Sequence, residues 1–169
     1  MSEEKHPAVL RVQTALKNLG GNADLVRKLD QSARTSAEAA AALGVTVAQI
    51  VNSLVFLATT PTSQFPVLVL SSGGHRVDPD LVATAFGVDS ITKADADLVK
   101  SATGFAIGGV SPVGHITEIP TVIDLDLGIF DEVWAAGGHP YWVYPTNLKE
   151  LVAMTGAPAV VVSADPLIT

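Results

Sequence analysis

Apolar positions in the first part of the chain follow helical spacing. They lie three or four residues apart and share one face of a helix that begins at Pro7 and ends before the Gly20–Gly21 pair. The residues on this face are Val9, Val12, Leu16 and Leu19. A short strand is predicted at 24–29, and capping-box patterns at 35–38 and 46–49 predict two short helices. The first third of the chain is therefore predicted to be mainly helical.

Two unbroken apolar runs, at residues 51–58 and 67–70, predict neighbouring central strands joined by a loop rich in Thr, Pro and Ser. No residue from 39 to 75 carries a fixed charge, which is typical of a buried core. Polar residues and two prolines interrupt this stretch well short of the ~20 apolar residues that a membrane helix needs. No membrane span is expected.

Short helices and strands are mixed without a regular order beyond residue 78. Helices are predicted to start at Asp78–Pro79, to follow a cap at Thr92 and end near Gly104, and to span 146–155. Strands are predicted at 105–107, 122–127, 133–136 and 159–162. This order does not fit repeated strand–helix–strand winding. The predicted fold class is therefore α/β (α+β), with a mixed, curled sheet or partial barrel surrounded by helices.

The composition is that of one folded domain, and we expect residues 1–169 to form it, because no repeat, linker or change in composition divides the chain. The absence of cysteine excludes disulfides, thiolate zinc sites and a cysteine nucleophile. The polar start Met1–Lys5 has no signal-peptide pattern, so a cytoplasmic location is expected.

The charge distribution limits the partners that the chain can bind. A net charge of −7 argues against sequence-independent nucleic-acid binding, and no basic recognition helix indicates sequence-specific DNA binding. Residues 1–34 hold six of the ten basic residues, so only this part offers a surface for a polyanion. The alternative interpretation is that these basic residues are ordinary solvated side chains of an amphipathic helix.

A glycine-rich segment at 108–115 is the most distinctive local feature. Its three glycines let the backbone approach a ligand closely and direct N–H groups towards it, as in a cradle for a carbonyl or oxyanion. An ordinary turn has the same composition. The segment is not a phosphate-binding loop, because no Gly-Lys-Ser/Thr ending or helix pattern follows it.

Several ordered blocks, covering the chain from about residue 11 to 162, resemble the YbaK/EbsC family of free-standing aminoacyl-tRNA deacylases. That family is similar to the editing domain of bacterial prolyl-tRNA synthetases. The matching blocks are RTSAEAA at 34–40, LGV at 43–45, QIVNSLVF at 49–56, HRVD at 75–78, TGFAIGGVSPVGH at 103–115, EVWAAGG at 132–138 and ELVAMTGA at 150–157. The resemblance implies hydrolysis of the ester between an amino acid and the terminal adenosine of tRNA, without a cofactor.

The same resemblance implies the site. The family usually has a lysine where this chain has Asn52, so a neutral amide replaces an ammonium that positions the substrate. Asn52 and the N–H groups of Gly108 and Gly109 are the predicted catalytic groups. The predicted substrate-binding residues are Thr35, Ser53, Val110, Ser111, Pro112, Gly114, His115, Gly137 and His139.

The histidines, acidic residues and serines have alternative interpretations. Three-residue spacing relates His75 to Asp78 and His115 to Glu118, but a loop or strand does not turn this spacing into a metal site, and no metal is expected. His115 is either a hydrogen-bonding group of the pocket wall or structural, and His139 either faces the pocket mouth or lies in a turn.

Asp124 and Asp126 alternate on one strand face, and a solvated face is favoured over an acid/base pair. Ser111 as a covalent nucleophile lacks an assignable histidine.

Two hypotheses follow for the function. The first is a trans-editing hydrolase that cleaves the aminoacyl ester of mischarged tRNA, with aminoacyl-tRNA and an aminoacyl-tRNA synthetase as the expected partners. The second is a non-catalytic module that binds aminoacyl-tRNA or an amino acid and has lost turnover with the family lysine.

Overall fold

Five α-helices and eight strands make up the part of the chain that the structure, a computed structural model, describes, which is residues 5–169. The helices are α1 (Pro7–Asn18), α2 (Ser36–Leu43), α3 (Pro79–Phe86), α4 (Ala96–Thr103) and α5 (Leu148–Thr155). The strands are β1 (Arg27–Lys28), β2 (Ile50–Thr59), β3 (Gln64–Ser72), β4 (Ser90–Lys93), β5 (Thr121–Asp124), β6 (Val133–Ala136), β7 (Trp142–Thr146) and β8 (Ala159–Val160). The N-terminal residues 1–4, on which the expectation about a signal peptide rests, lie outside this range.

The strands form one mixed sheet in the order β1-β7-β6-β2-β3-β5-β8, with β4 also paired to β2. The pairs β2–β3, β2–β4, β6–β7 and β1–β7 are antiparallel, whereas β2–β6, β3–β5 and β5–β8 are parallel. The predicted α/β class with a mixed sheet is confirmed, and the sheet remains open rather than closing into a barrel.

Strand β2 has two different partners on the edge that faces away from β3. Its register with β6 covers Ile50 and Val51, and its register with β4 starts at Phe56. Residues 52–54 have no Cα partner on this edge, and the Ala94 N–H donates to the Val55 carbonyl at 3.3 Å. The opening in the sheet is therefore about 10 Å long at ~3.3 Å per residue. The sheet is therefore split beside Asn52.

Apolar side chains cover both faces of the central strands. Because side chains alternate along a strand, Leu68 and Leu70 join the cluster under α1 and α5, whereas Val67 and Val69 join the cluster under α3. All four are 0% exposed. Burial on both faces explains why the sequence shows an unbroken apolar run here. These strands are the rigid base on which the split edge of β2 rests.

Some predicted elements are wrong. Thr92 does not cap a helix but lies in β4, and α4 starts after Asp95, whose carboxylate accepts the Leu98 N–H at 2.8 Å. Residues 105–107 form a loop rather than a strand. Strand β7 was not predicted. Both β4 and β7 are short strands: β4 pairs with β2, which lies far earlier in the chain, whereas β7 follows β6 in a hairpin and also pairs with the distant β1. Local pattern indicates such short strands weakly.

Three further predicted strands are shorter in the structure, and one of them is 159–162, of which only the two residues of β8 remain. Residues 24–29 contain the 3-10 helix Ala23–Leu25 and only the two residues of β1. In the 122–127 region, β5 ends at Asp124, whose carboxylate caps the following 3-10 helix Leu125–Ile129 by accepting the Asp126 N–H at 3.0 Å.

Replacing Leu70 with Ala tests the role of the central strands. Leu70 is 0% exposed, and a buried Leu→Ala change costs about 2–5 kcal/mol because it leaves a cavity. The matched control is Leu125→Ala, since Leu125 is 47% exposed and its loss is expected to cost less than about 0.5 kcal/mol. Urea unfolding measures both, and equal losses would contradict this assignment of the core.

Candidate active site

A cavity of about 630 Å³ lies at the split in the sheet. Its floor is residues 50–56 of β2, and its sides come from the start of α2, the end of β4, β6 and the 107–110 loop. Most of the lining is apolar, with Val51, Val55 and Val110 among the buried side chains. This volume and lining are typical of a pocket for a small ligand or for one end of a larger one.

Three cations surround the cavity. Arg34, Arg76 and Lys93 line it and are exposed, and none of the described lining residues is Asp or Glu. This contrasts with the net charge of −7 for the whole chain. The expectation that only residues 1–34 offer positive surface is therefore wrong, because the fold brings two cations from the acidic part beside Arg34. The local field favours an anionic ligand.

Asn52 lies at the cavity edge, half-buried, and its side chain is held by α2. The Ser36 hydroxyl donates to Asn52 Oδ1 at 2.6 Å. Ser36 is the first residue of α2, and the hydroxyl of the preceding Thr35 caps the helix by accepting the Glu38 N–H at 3.2 Å. With its oxygen engaged, Asn52 presents its NH₂ group as a donor. No partner for this group is recorded in residues 5–169.

The glycine-rich segment 108–115 contributes Gly108 to the cavity lining. Gly108 has φ +90°, and a Cβ there would overlap Cγ of Arg34, so a residue with a side chain is disfavoured on both counts. Its N–H has no recorded partner within the described chain. Gly109 differs, because its N–H donates to the Ala106 carbonyl at 3.0 Å and it does not line the cavity. Of the two predicted backbone donors, the structure leaves Gly108 available at the cavity.

His75 lines the cavity, and its side chain, which is 1% exposed, is clamped between the carboxylates of Asp124 and Asp126, of which only Asp124 forms a hydrogen bond with it. Its Nδ1 lies 2.8 Å from Asp124 Oδ2, and its Nε2 lies 3.3 Å from Asp126 Oδ2. The same Asp124 oxygen accepts the Ser72 N–H at 3.0 Å. The prediction of a solvated acidic face is wrong for Asp124, whose side chain is 1% exposed and contacts the Ser72 N–H, the His75 ring and the Asp126 N–H. Asp126 is 44% exposed.

The three clamped side chains place their ligand atoms within 4.8 Å of one another. Asp124 is already engaged by hydrogen bonds, which leaves His75 Nε2 and the Asp126 carboxylate, fewer than the three protein ligands of a typical zinc site. Asp78 has another role, because its carboxylate accepts the Asp80 N–H at 2.9 Å at the start of α3. The group is best described as a clamp for His75.

The second half of the glycine-rich segment lies away from the cavity. Ser111 is 0% exposed and its hydroxyl accepts the Val113 N–H at 3.2 Å, which is not the arrangement of a nucleophile. His115 Nε2 donates to the Ser111 carbonyl at 2.7 Å, and burial lowers the pKa of His115, so its ring is neutral at pH 7. Arg11 of α1 donates to the Gly114 carbonyl at 2.9 Å. Pro112, like these residues, does not line the cavity.

The remaining predicted residues divide between the cavity and its surroundings. Thr35, Ser53 and Val110 line the cavity. Gly137 lies behind it, where its N–H donates to the Trp142 carbonyl at 2.7 Å. His139 lies beside the cavity on a shallow surface that it shares with Tyr141. The predicted set is therefore spread over more than one place.

Sequence reasoning missed several cavity residues, namely Arg34, Ser36, Arg76 and Lys93. Lys93 had a usable signal, because Ile91 alternates with polar neighbours in the pattern of an edge strand. No sequence signal indicates a role for Ser36, because its contact with Asn52 spans 16 residues and depends on how α2 packs on β2.

The site is thus an apolar cavity in a split mixed sheet, and the charged side chains that line it within residues 5–169 are three cations. The family model for the aminoacyl-tRNA editing domain matches residues 30–154. The chain belongs to this family.

The relatives agree with this assignment. The chain is 31% identical over 138 residues to the proline–tRNA ligase of Limosilactobacillus fermentum, which covers 80% of this chain and 24% of that protein. It therefore spans about a quarter of that ligase. It is 26% identical over 126 residues to the uncharacterized protein YwhH of Bacillus subtilis, covering 75% of this chain and 78% of that one.

A solved structure described as a candidate trans-editing enzyme for prolyl tRNA synthetase is 41% identical, with a TM-score of 0.85, and covers 96% of this chain and 100% of that one. In the described part of the chain, no helix has the length and apolar character needed to cross a membrane.

Replacing Asp124 with Asn tests the clamp. The change keeps the shape but removes a charged acceptor, so we expect the free energy of unfolding to fall by about 1.5–3 kcal/mol. Asp126→Asn is the matched control, since Asp126 is 44% exposed and its loss is expected to cost under about 1 kcal/mol. Urea unfolding of both variants at pH 7 measures this, and an unchanged stability for Asp124→Asn would show that the clamp is not needed.

Proposed function

We propose that this protein is a trans-acting aminoacyl-tRNA deacylase, which hydrolyses the ester between a wrongly attached amino acid and the terminal adenosine of tRNA. The observation that carries the proposal is the cavity at the split of β2, whose charged lining residues are cations, in a chain of the aminoacyl-tRNA editing family. The aminoacyl group would occupy the apolar part. The phosphate beside the terminal adenosine would meet Arg34, Arg76 and Lys93.

The reaction is the addition of water to the ester carbonyl. The water oxygen bonds to the carbonyl carbon, the carbon–ribose oxygen bond breaks, and the ribose oxygen takes a proton as the free amino acid leaves. The charge that develops on the carbonyl oxygen needs hydrogen-bond donors at about 2.7–3.1 Å. The Gly108 N–H and the Asn52 NH₂ group are the two donors at this cavity that supply it in our proposal.

Ser36 gives Asn52 its part in this scheme. An amide that rotates freely presents its oxygen or its NH₂ group with little preference, and a carbonyl oxygen repels a developing oxyanion. The hydrogen bond from the Ser36 hydroxyl to Asn52 Oδ1 fixes the amide with its donor side available. In this proposal the Asn52 NH₂ group, held by Ser36, positions the substrate as a neutral donor. The family's lysine positions it with a positive charge.

The partners follow from the same proposal. The substrate is an aminoacyl-tRNA presented by its terminal adenosine, and an aminoacyl-tRNA synthetase is the source of the mischarged product. In this proposal the protein acts in translation, in the cytoplasm. The replacement of the family lysine by Asn52 favours one alternative, a module that binds the aminoacyl end without turnover.

A panel of purified aminoacyl-tRNAs separates these functions, and Asn52→Ala sharpens the comparison. We expect accelerated ester loss for at least one member of the panel. Removal of one oxyanion donor costs roughly 10²–10³ in kcat, so Asn52→Ala is expected to lower the rate by that factor. Asn18→Ala, a change at an exposed residue at the end of α1, is the control and should keep full activity. Binding without accelerated loss across the whole panel would establish the module instead.

Asn52→Lys tests whether the departure from the family residue costs activity. A lysine offers no acceptor to the Ser36 hydroxyl, which would lose the partner that it has at 2.6 Å. We therefore expect kcat/KM to fall in this variant, measured on the best substrate of the panel. A rise of tenfold or more would show that the Ser36–Asn52 pair is an impaired version of the lysine site.

A further inference from the structure

A second surface lies beside the cavity, made of three aromatic rings in a row. The ring centroids of His6 and His139 are 5.2 Å apart, and those of His139 and Tyr141 are 5.8 Å apart at an interplanar angle of 30°. Tyr141 is 38% exposed. We call this surface, with its flanking Lys5 and Lys28, the ring shelf.

Backbone N–H groups hold the two histidine rings of the ring shelf in place. His139 Nδ1 accepts the Tyr141 N–H at 3.3 Å, and His6 Nδ1 accepts the Ala8 N–H at 3.1 Å. A nitrogen that accepts carries no proton, so the neutral ring of His139 has its proton on Nε2 in this arrangement. Burial, followed by the positive charges of His6, Arg34 and Lys28, lowers the pKa of His139. Neutral rings present flat faces to a stacking partner.

Within residues 5–169, the charged side chains that line the ring shelf with these rings are cations. Lys5 and Lys28 line the ring shelf, and no Asp or Glu is among its described lining residues. Aromatic faces flanked by cations are the combination that binds single-stranded nucleic acid, in which bases stack on rings and phosphates meet cations. A surface for an apolar protein partner would need no such excess of positive charge.

The ring shelf and the cavity are joined through the backbone. Ala33, which lines the cavity, donates its N–H to the Pro140 carbonyl at 2.7 Å, and Pro140 follows His139 directly. Gly109 also lies against His139, because a Cβ at Gly109 would come within 3.0 Å of His139 Cα. The neighbouring Gly108 lines the cavity. The ring shelf therefore lies next to residues that line the cavity.

We propose that the ring shelf binds the single-stranded 3′ end of tRNA just before the terminal adenosine, stacking a base on Tyr141 and His139 while Lys5 and Lys28 meet the backbone phosphates. The inference rests on the proposed function and adds a second contact to it. Stacking accepts any base, so this contact would serve every tRNA, and the cavity would select the amino acid.

The direct test is binding of a short single-stranded RNA that ends in CCA and carries no amino acid, followed by fluorescence anisotropy at fixed salt. Loss of a stacking ring is expected to weaken binding about tenfold in Tyr141→Ala, whereas Tyr141→Phe keeps the ring and should bind as the wild type does. Lys28→Ala should reduce the salt slope by about one, and Lys149→Ala on α5 should leave it unchanged. Circular dichroism verifies that each variant is folded.

A second measurement separates this inference from the proposed function. The ratio of kcat/KM for aminoacyl-tRNA to that for aminoacyl-adenosine should fall about tenfold in Tyr141→Ala, because the smaller substrate lacks the upstream nucleotides. An unchanged ratio, or RNA binding that does not depend on Tyr141, would overturn the ring shelf even if the wild type is a deacylase. If the wild type hydrolyses neither substrate yet RNA binding depends on Tyr141, the ring shelf stands and the proposed function fails.

Discussion

Strand β2 meets two different strands along one edge, and the site depends on this arrangement. Parallel pairing with β6 ends at Val51, and contact with the β4 side resumes where the Ala94 N–H donates to the Val55 carbonyl, so the sheet is interrupted at residues 52–54. The opposite edge is paired with β3 throughout, and the fully buried core keeps it rigid. The result is an opening in a stable sheet, which places Asn52 on a well-supported strand rather than on a mobile loop.

The groups around this opening come from distant parts of the chain. Arg34 lies just before α2 and Ser36 is its first residue. Lys93 is the last residue of β4, and Gly108 belongs to the glycine-rich segment. Together they combine an apolar cavity with positive charge and directed donors, which suits the end of an aminoacylated nucleic acid. Positive charge here is a local property, since the chain as a whole is acidic.

The sequence predicted the parts of the fold that depend on local pattern. The apolar runs predicted β2 and β3, and the patterns of α2 and β6 were equally clear, because each has a strong period or cap. The short strand β4 was missed since its stability comes from pairing with β2. The family resemblance indicated Asn52 and Gly108, which both line the cavity. It also indicated Ser111 and His115, which are close to Gly108 in sequence. In the structure the loop turns, and those two residues face the core and α1.

A structure with a non-hydrolysable analogue, in which an amide replaces the ester of aminoacyl-adenosine, tests the central claim most directly. We expect the aminoacyl group in the cavity beside β2, with the carbonyl oxygen within about 3 Å of both the Gly108 N–H and the Asn52 NH₂ group. An analogue bound elsewhere, or bound here with its carbonyl turned away from both donors, would contradict it.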